Sequence, residues 1–128
     1  GSGYTADDFK EAQRWGFQQF LARELWHRSL PTLGGEIRRD IGPDAPVYVT
    51  YDIDSLDPAY APGTGTPEIG GLTTPQAMEL IAALKGLNIV GCDLVEVSPP
   101  YDTSGNTALT GANILFELLC VLPGVKFR

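Results

Sequence analysis

Residues 47–71, VYVTYDIDSLDPAYAPGTGTPEIGG, limit what this chain can fold into more than any other stretch. Val47, Tyr48, Val49, Thr50 and Tyr51 are all β-branched or aromatic, the mark of a buried strand. Asp52 and Asp54 follow at once. Residues two apart on an extended chain share a face, so both carboxylates are expected on one side of the strand's end. They repel each other unless something positive sits between them. A hard divalent cation such as manganese or magnesium is the simplest such partner for carboxylate oxygens. The loop that follows carries Pro58, Pro62 and Pro67 with Gly63, Gly65, Gly70 and Gly71. Proline fixes φ and glycine permits unusual φ, which predicts an ordered loop of unusual shape.

Several chemistries compete for the two aspartates. A calcium hand fails on spacing, because Leu56, Asp57 and Gly63 stand where it needs an oxygen ligand, a glycine and a glutamate. An aspartate-nucleophile phosphatase suits a hydrophobic strand followed by Asp-x-Asp, with Asp52 attacking phosphorus and Asp54 moving the proton. Leu56 departs from that pattern, and no later lysine and acidic pair completes it. A plain turn with solvated acids is the bland alternative.

The run DIDSLDPAYAPGTGTPEIGGLT accounts for more residues: it resembles the last metal-ligand motif of the ureohydrolases, the arginase and agmatinase family. GCDLVEVSPPYD and SGNTAL downstream are similar to the agmatinase and guanidinobutyrase side of that family. The resemblance runs through all 128 residues. It implies a three-layer α/β/α fold with a parallel sheet, of which residues 1–128 form a C-terminal portion. It also implies two manganese ions, with nickel as the other metal that carboxylates accept, and hydrolysis of a guanidino group to urea and an amine. Asp52 and Asp54 are then metal ligands and Thr66 lies beside the substrate. A homo-oligomer, trimer or hexamer, is implied as well. The family's remaining histidine and aspartate ligands and its proton-shuttling histidine have no counterpart here, so they are expected in an N-terminal half. A non-catalytic subunit that scaffolds an active partner is the second reading.

The chain totals agree with a small cationic substrate. Nine basic against sixteen acidic residues leave a net charge of −7, which argues against nucleic acid or an anionic membrane as partner. No apolar run is long enough to span a bilayer and no secretory leader is seen, which points to the cytoplasm. Cys92 and Cys120 sit in apolar settings and read as buried free thiols.

Along the chain, Gly1-Ser2-Gly3-Tyr4 resembles a turn that follows a strand inside longer relatives, which suggests a C-terminal piece. Thr5 is a candidate N-cap for a helix to about Trp15, ended by Gly16. Phe17–Leu21 reads as a short strand, and Glu24–Asp40 as one helix stopped by Gly42-Pro43. His27, the only histidine, falls in that helix and reads as a partly exposed structural residue. Tyr4, Trp15 and Trp26 are candidate pocket aromatics, although core or interface roles are commoner. Asp57 reads as the cap of the Asp57-Pro58 turn rather than a ligand. Thr73, Thr74 and Pro75 open a helix that Gly86 closes.

Leu87–Val97 is the next strand, and Ile89–Leu94 within it is nearly continuously apolar, as in a parallel strand covered on both faces. Asp93 interrupts it and reads as structural or as support for a ligand. Two successive β-α-β units bring Asp52, Asp54 and Glu96 to the same sheet edge, the edge where open α/β sheets bind ligands. A carboxylate there can accept two parallel N–H bonds from a guanidinium, so Glu96 is the candidate substrate grip. Asn106–Leu122 is a final helix, apolar almost all round and expected to be buried.

Overall fold

The computed structural model describes residues 5–126. The turn expected at Gly1–Tyr4 lies outside the described residues, as does Tyr4 as a pocket candidate. Five helices and two strands follow in the order α1 (Ala6–Arg14), α2 (Ala22–Leu25), α3 (Leu30–Ile41), β1 (Pro46–Asp52), α4 (Thr74–Ala83), β2 (Asn88–Val95) and α5 (Asn106–Val121). Short 3-10 turns at Ile53–Ser55 and Pro99–Tyr101 follow the two strands. None of these helices is long and apolar enough to cross a membrane.

Local sequence explains most of the boundaries. Thr5 caps α1 in a reciprocal box with Asp8, and Thr73 caps α4 in the same way with Gln76. Pro75 stands in the first turn of α4, where its missing N–H costs nothing. Gly42, at φ 82°, ends α3.

The sequence-based helix over Glu24–Asp40 is two helices, broken at residues 26–29. Pro31 is the reason: inside a continuous helix its ring would strike the carbonyl of His27. The chain therefore turns, and α3 restarts from Ser29 with Pro31 in its first turn. His27 lies in that break, exposed, and not within a helix. The strand expected at Phe17–Leu21 is absent as well. A strand needs a ladder partner, and this segment instead has Phe20 beneath the Arg28 guanidinium at 5.2 Å. The Leu21 N–H is taken by the Glu24 side chain at 2.9 Å.

β1 and β2 pair in parallel through the α4 crossover, with Thr50 opposite Asp93 and Asp52 opposite Val95. Val90 is the extra residue of a bulge between the Ile89 and Gly91 pairings. Val47, Val49, Tyr51, Cys92 and Leu94 turn to a core built with Leu33, Ile81, Ile114 and Leu118. Ile53 and Leu56, just past β1, are completely enclosed in the same core. Burying one such side chain stabilises the fold by about 1.5–3 kcal/mol. Tyr48, Thr50 and Asp52 alternate onto the opposite sheet face, which is exposed.

The expected double coverage of β2 is thus not formed among the described residues. Their helices cover one face, and Tyr48, Val90 and Val95 stay in solvent. The last helix is likewise buried on one side only. Thr107, Gly111, Ile114, Leu118 and Val121 face inward, while Leu109, Phe116 and Leu119 are exposed. Cys92 and Cys120 are free, as expected, but only half-buried.

α3 and α4 meet closely. Arg38 donates to the Ala83 carbonyl, and a methyl on Gly34 would lie 2.2 Å from the Ala83 Cβ. Alanine's helix advantage of about 1 kcal/mol is outweighed by overpacking of about 1–3 kcal/mol. Gly34→Ala should therefore lower the urea midpoint of the whole protein, and a raised midpoint would show that the two helices part freely.

Candidate metal centre

The sheet's carboxyl edge gathers the acids, although not by strand alternation. β1 stops at Asp52, and Asp54 stands in the 3-10 turn that follows. The Asp54 N–H donates to Asp52 Oδ1 at 3.1 Å, so the turn itself holds the two residues together. Between them Ile53 is driven wholly into the core, which fixes the direction of both neighbours. Glu96 comes one residue after Val95, the register partner of Asp52.

These acids repel one another. Asp52 is solvent-exposed in this chain, yet the desolvation it does suffer raises its carboxyl above the ordinary range. The Asp54 N–H opposes that rise, and the Asp54 and Glu96 carboxylates add to it. No ion pair found among the described residues involves Asp52, Asp54 or Glu96. Hard oxygen donors, adjacent and without a cationic side chain, fit one side of a divalent-cation site. They do not close it. Among the described residues no three His, Cys, Asp or Glu side chains are grouped to hold an ion.

Glu96 sits at φ 69°, the one positive value outside glycine among the described residues. The left-handed region costs a side-chain-bearing residue about 1–2 kcal/mol. Its neighbours impose it: Val95 pairs with Asp52 on one side and Val97 bridges to Thr64 on the other. The Ser98 N–H then donates to the Gly63 carbonyl at 2.8 Å. Backbone strain of this kind concentrates at functional positions.

The loop from Asp57 to Gly71 is ordered by its own polar groups. Asp57 accepts from the Ala59 N–H at 2.9 Å and the Gly70 N–H at 2.8 Å, and these bonds hold its carboxyl below the ordinary value. It caps the loop, as the sequence indicates. The stem closes where Asp57 N–H meets Leu72 O at 2.9 Å and Leu72 N–H meets Ser55 O at 2.8 Å. A Cβ on Gly71 would lie 2.5 Å from the Asp57 nitrogen, so only glycine passes there. Thr66, expected beside the substrate, donates from Oγ1 to Asp54 Oδ2 at 2.6 Å.

Asp93 takes a supporting place, accepting from the Tyr48 hydroxyl at 2.9 Å across the strand pair. Its other oxygen is buried without a partner among the described residues. Trp15 is exposed at the end of α1, while Trp26 donates to the Gly70 carbonyl. Two anchors escaped sequence reasoning. Asp102 accepts from the Thr107 and Ala108 N–H groups at 3.1 and 2.8 Å, and Thr107 Oγ1 accepts from Gly63 at 2.8 Å. An Asp-Thr-Ser-Gly-Asn run before an apolar helix was the available signal for the first.

Comparison with known proteins matches the arginase family model over residues 2–120. The chain is 63% identical to guanidinobutyrase of Pseudomonas aeruginosa over 126 residues, covering 98% of this chain and 39% of that protein. It is 64% identical to mitochondrial agmatinase of Gallus gallus over 126 residues, covering 98% of this chain and 37% of that one. In structure it is similar to proclavaminate amidino hydrolase of Streptomyces clavuligerus, with a TM-score of 0.84 and 38% identity. That match covers 91% of this chain and 38% of the other. The chain thus spans well under half the length of these relatives. Its arginase-like α/β fold is a part of theirs, and the aspartate pair, the loop and the strand-end glutamate all fall inside the matched region. On that footing the chain belongs to the arginase family.

Proposed function

We propose that the whole protein is a metal-dependent amidinohydrolase that converts a guanidino compound into urea and an amine. In this reading residues 1–128 are the C-terminal portion of one α/β/α domain and supply part of a binuclear site. The observation that carries it is the gathering of Asp52, Asp54 and Glu96 at one sheet edge, with no ion pair to any of them found among the described residues.

Asp52 and Asp54 would hold the metal, which supplies a Lewis acid that lowers the pKa of water. Thr66 donates to one Asp54 oxygen and so sets which way that carboxylate points. Glu96 offers two acceptor oxygens to the guanidinium fork and balances its charge. In the reaction a C–O bond forms from water to the guanidinium carbon. The C–N bond to the tail breaks, and the amine leaves with a proton. Manganese, with nickel as the other candidate, belongs to this proposal, as do a trimeric or hexameric assembly and a cytoplasmic location. Agmatine and 4-guanidinobutanoate are the substrates to assay first, since the relatives are named for agmatinase and guanidinobutyrase activity.

The test is urea release by the manganese-loaded whole protein from these two compounds. No release from either would sink the reading. Residues 1–128 alone should release none. A two-metal centre needs roughly five or six protein ligands, imidazoles among them. The open sheet face and the uncovered side of α5 also favour aggregation of the isolated chain. A soluble, monomeric 128-residue chain that makes urea would overturn the ligand count.

A further inference from the structure

Gly70 is held by both of its polar backbone groups, from two separate parts of the chain. Its N–H goes to Asp57 Oδ2 at 2.8 Å, inside the loop's own stem. Its carbonyl accepts from Trp26 Nε1 at 3.0 Å, from the break between α2 and α3. The indole also lies against the Gly70 backbone, with Cζ2 3.2 Å from where a Cβ would stand. Gly70 has φ 86°, a conformation that suits glycine.

The near limb of the loop is pinned independently. Gly63 donates to Thr107 and accepts from Ser98, and Thr64 bridges to Val97. Between the two pins, residues 65–69 form an exposed arch. Thr66 is on that arch, with its hydroxyl 2.6 Å from Asp54 Oδ2. Pro67 stiffens the span between Thr66 and Gly70, so a shift at Gly70 is passed on. Trp26 itself stays half-exposed, so its contact with the loop is a local clamp and not part of the core. The Pro31 break matters here, because it frees the indole from the helix and lets it reach the loop.

We infer that Trp26 is a positioning residue of the metal centre: by clamping Gly70 it keeps Thr66 on Asp54. The inference rests on the reading of Asp54 as a metal ligand, and its test separates the two. In the whole protein, Trp26→Phe removes the donor and keeps an aromatic ring. Amide exchange is measured on the metal-free protein, and the manganese Kd by calorimetry. Loss of one hydrogen bond predicts roughly three- to tenfold faster exchange over residues 65–70 and a Kd raised by a similar factor. Thr66→Val should raise the Kd alike, and Trp26→Phe should then add nothing in the Thr66→Val background, because both act through one contact.

Additive effects would make Trp26 merely structural and overturn the inference. So would an unchanged Kd in either single variant. The ligand reading is judged apart from this by Asp54→Asn, which removes the ion whatever Trp26 does. If Trp26→Phe unfolds, benzothienylalanine at position 26 keeps the ring size and replaces only the N–H by sulfur. With that residue, faster exchange confined to 65–70 supports the clamp, and unchanged exchange there overturns it.

Discussion

Asp52→Asn and Asp54→Asn in the whole protein are expected to lose bound manganese and with it urea release, while the fold persists. Each change replaces a carboxylate by a neutral amide of the same size. Losing a group that merely orients a metal ligand costs about 10–100-fold in metal affinity, so losing a ligand itself should cost at least that much. The fold should survive, because Ile53 and Leu56 supply the local packing and neither aspartate is in the core. Asparagine at position 52 can still accept the Asp54 N–H, so the turn is kept. Relieving repulsion among Asp52, Asp54 and Glu96 should leave the metal-free variants no less stable than the parent. Elemental analysis decides the matter: full metal occupancy in both variants would refute the ligand assignment.

Glu96→Gln should retain the metal and lose turnover. The amide has one acceptor oxygen where a guanidinium fork takes two, and the charge is gone. A hydrogen bond to a charged group contributes about 1.5–3 kcal/mol, so kcat/KM should fall roughly tenfold to two-hundredfold. Wild-type kcat/KM in this variant would remove Glu96 from the site.

The backbone at Glu96 makes a second variant informative. Its φ of 69° costs about 1–2 kcal/mol for any side-chain-bearing residue. Glycine escapes that cost but gives up about 0.5–1 kcal/mol of chain entropy. Glu96→Gly should therefore be more stable than Glu96→Gln by about 0.5–1 kcal/mol, although turnover should be impaired in both. Equal urea midpoints for the two would show that position 96 carries no strain.

The sequence by itself determined the pieces that depend on near neighbours. β1 was legible from five β-branched or aromatic residues and α1 and α4 from their caps, whereas of the two β-α-β units expected only β1-α4-β2 forms among the described residues. Asp57 read correctly as a cap because its partners Ala59 and Gly70 lie in the same loop. Even the break in the Glu24–Asp40 pattern was written in Pro31, where apolar periodicity outweighed a stronger local rule.

Tertiary structure alone decided the contacts between distant residues. Whether Phe17–Leu21 became a strand depended on a partner, and the nearby groups offered it Arg28 and Glu24 instead. Asp52 and Asp54 were expected together by alternation. They are together because burial of Ile53 ends the strand and tightens a turn. Thr66 meets Asp54 across twelve residues, and Trp26 meets Gly70 across forty-four. The left-handed Glu96 follows from a strand pairing on one side and a loop bridge on the other. A pattern of residue types records which face is apolar, but the partner at a given distance is chosen by packing of the whole chain.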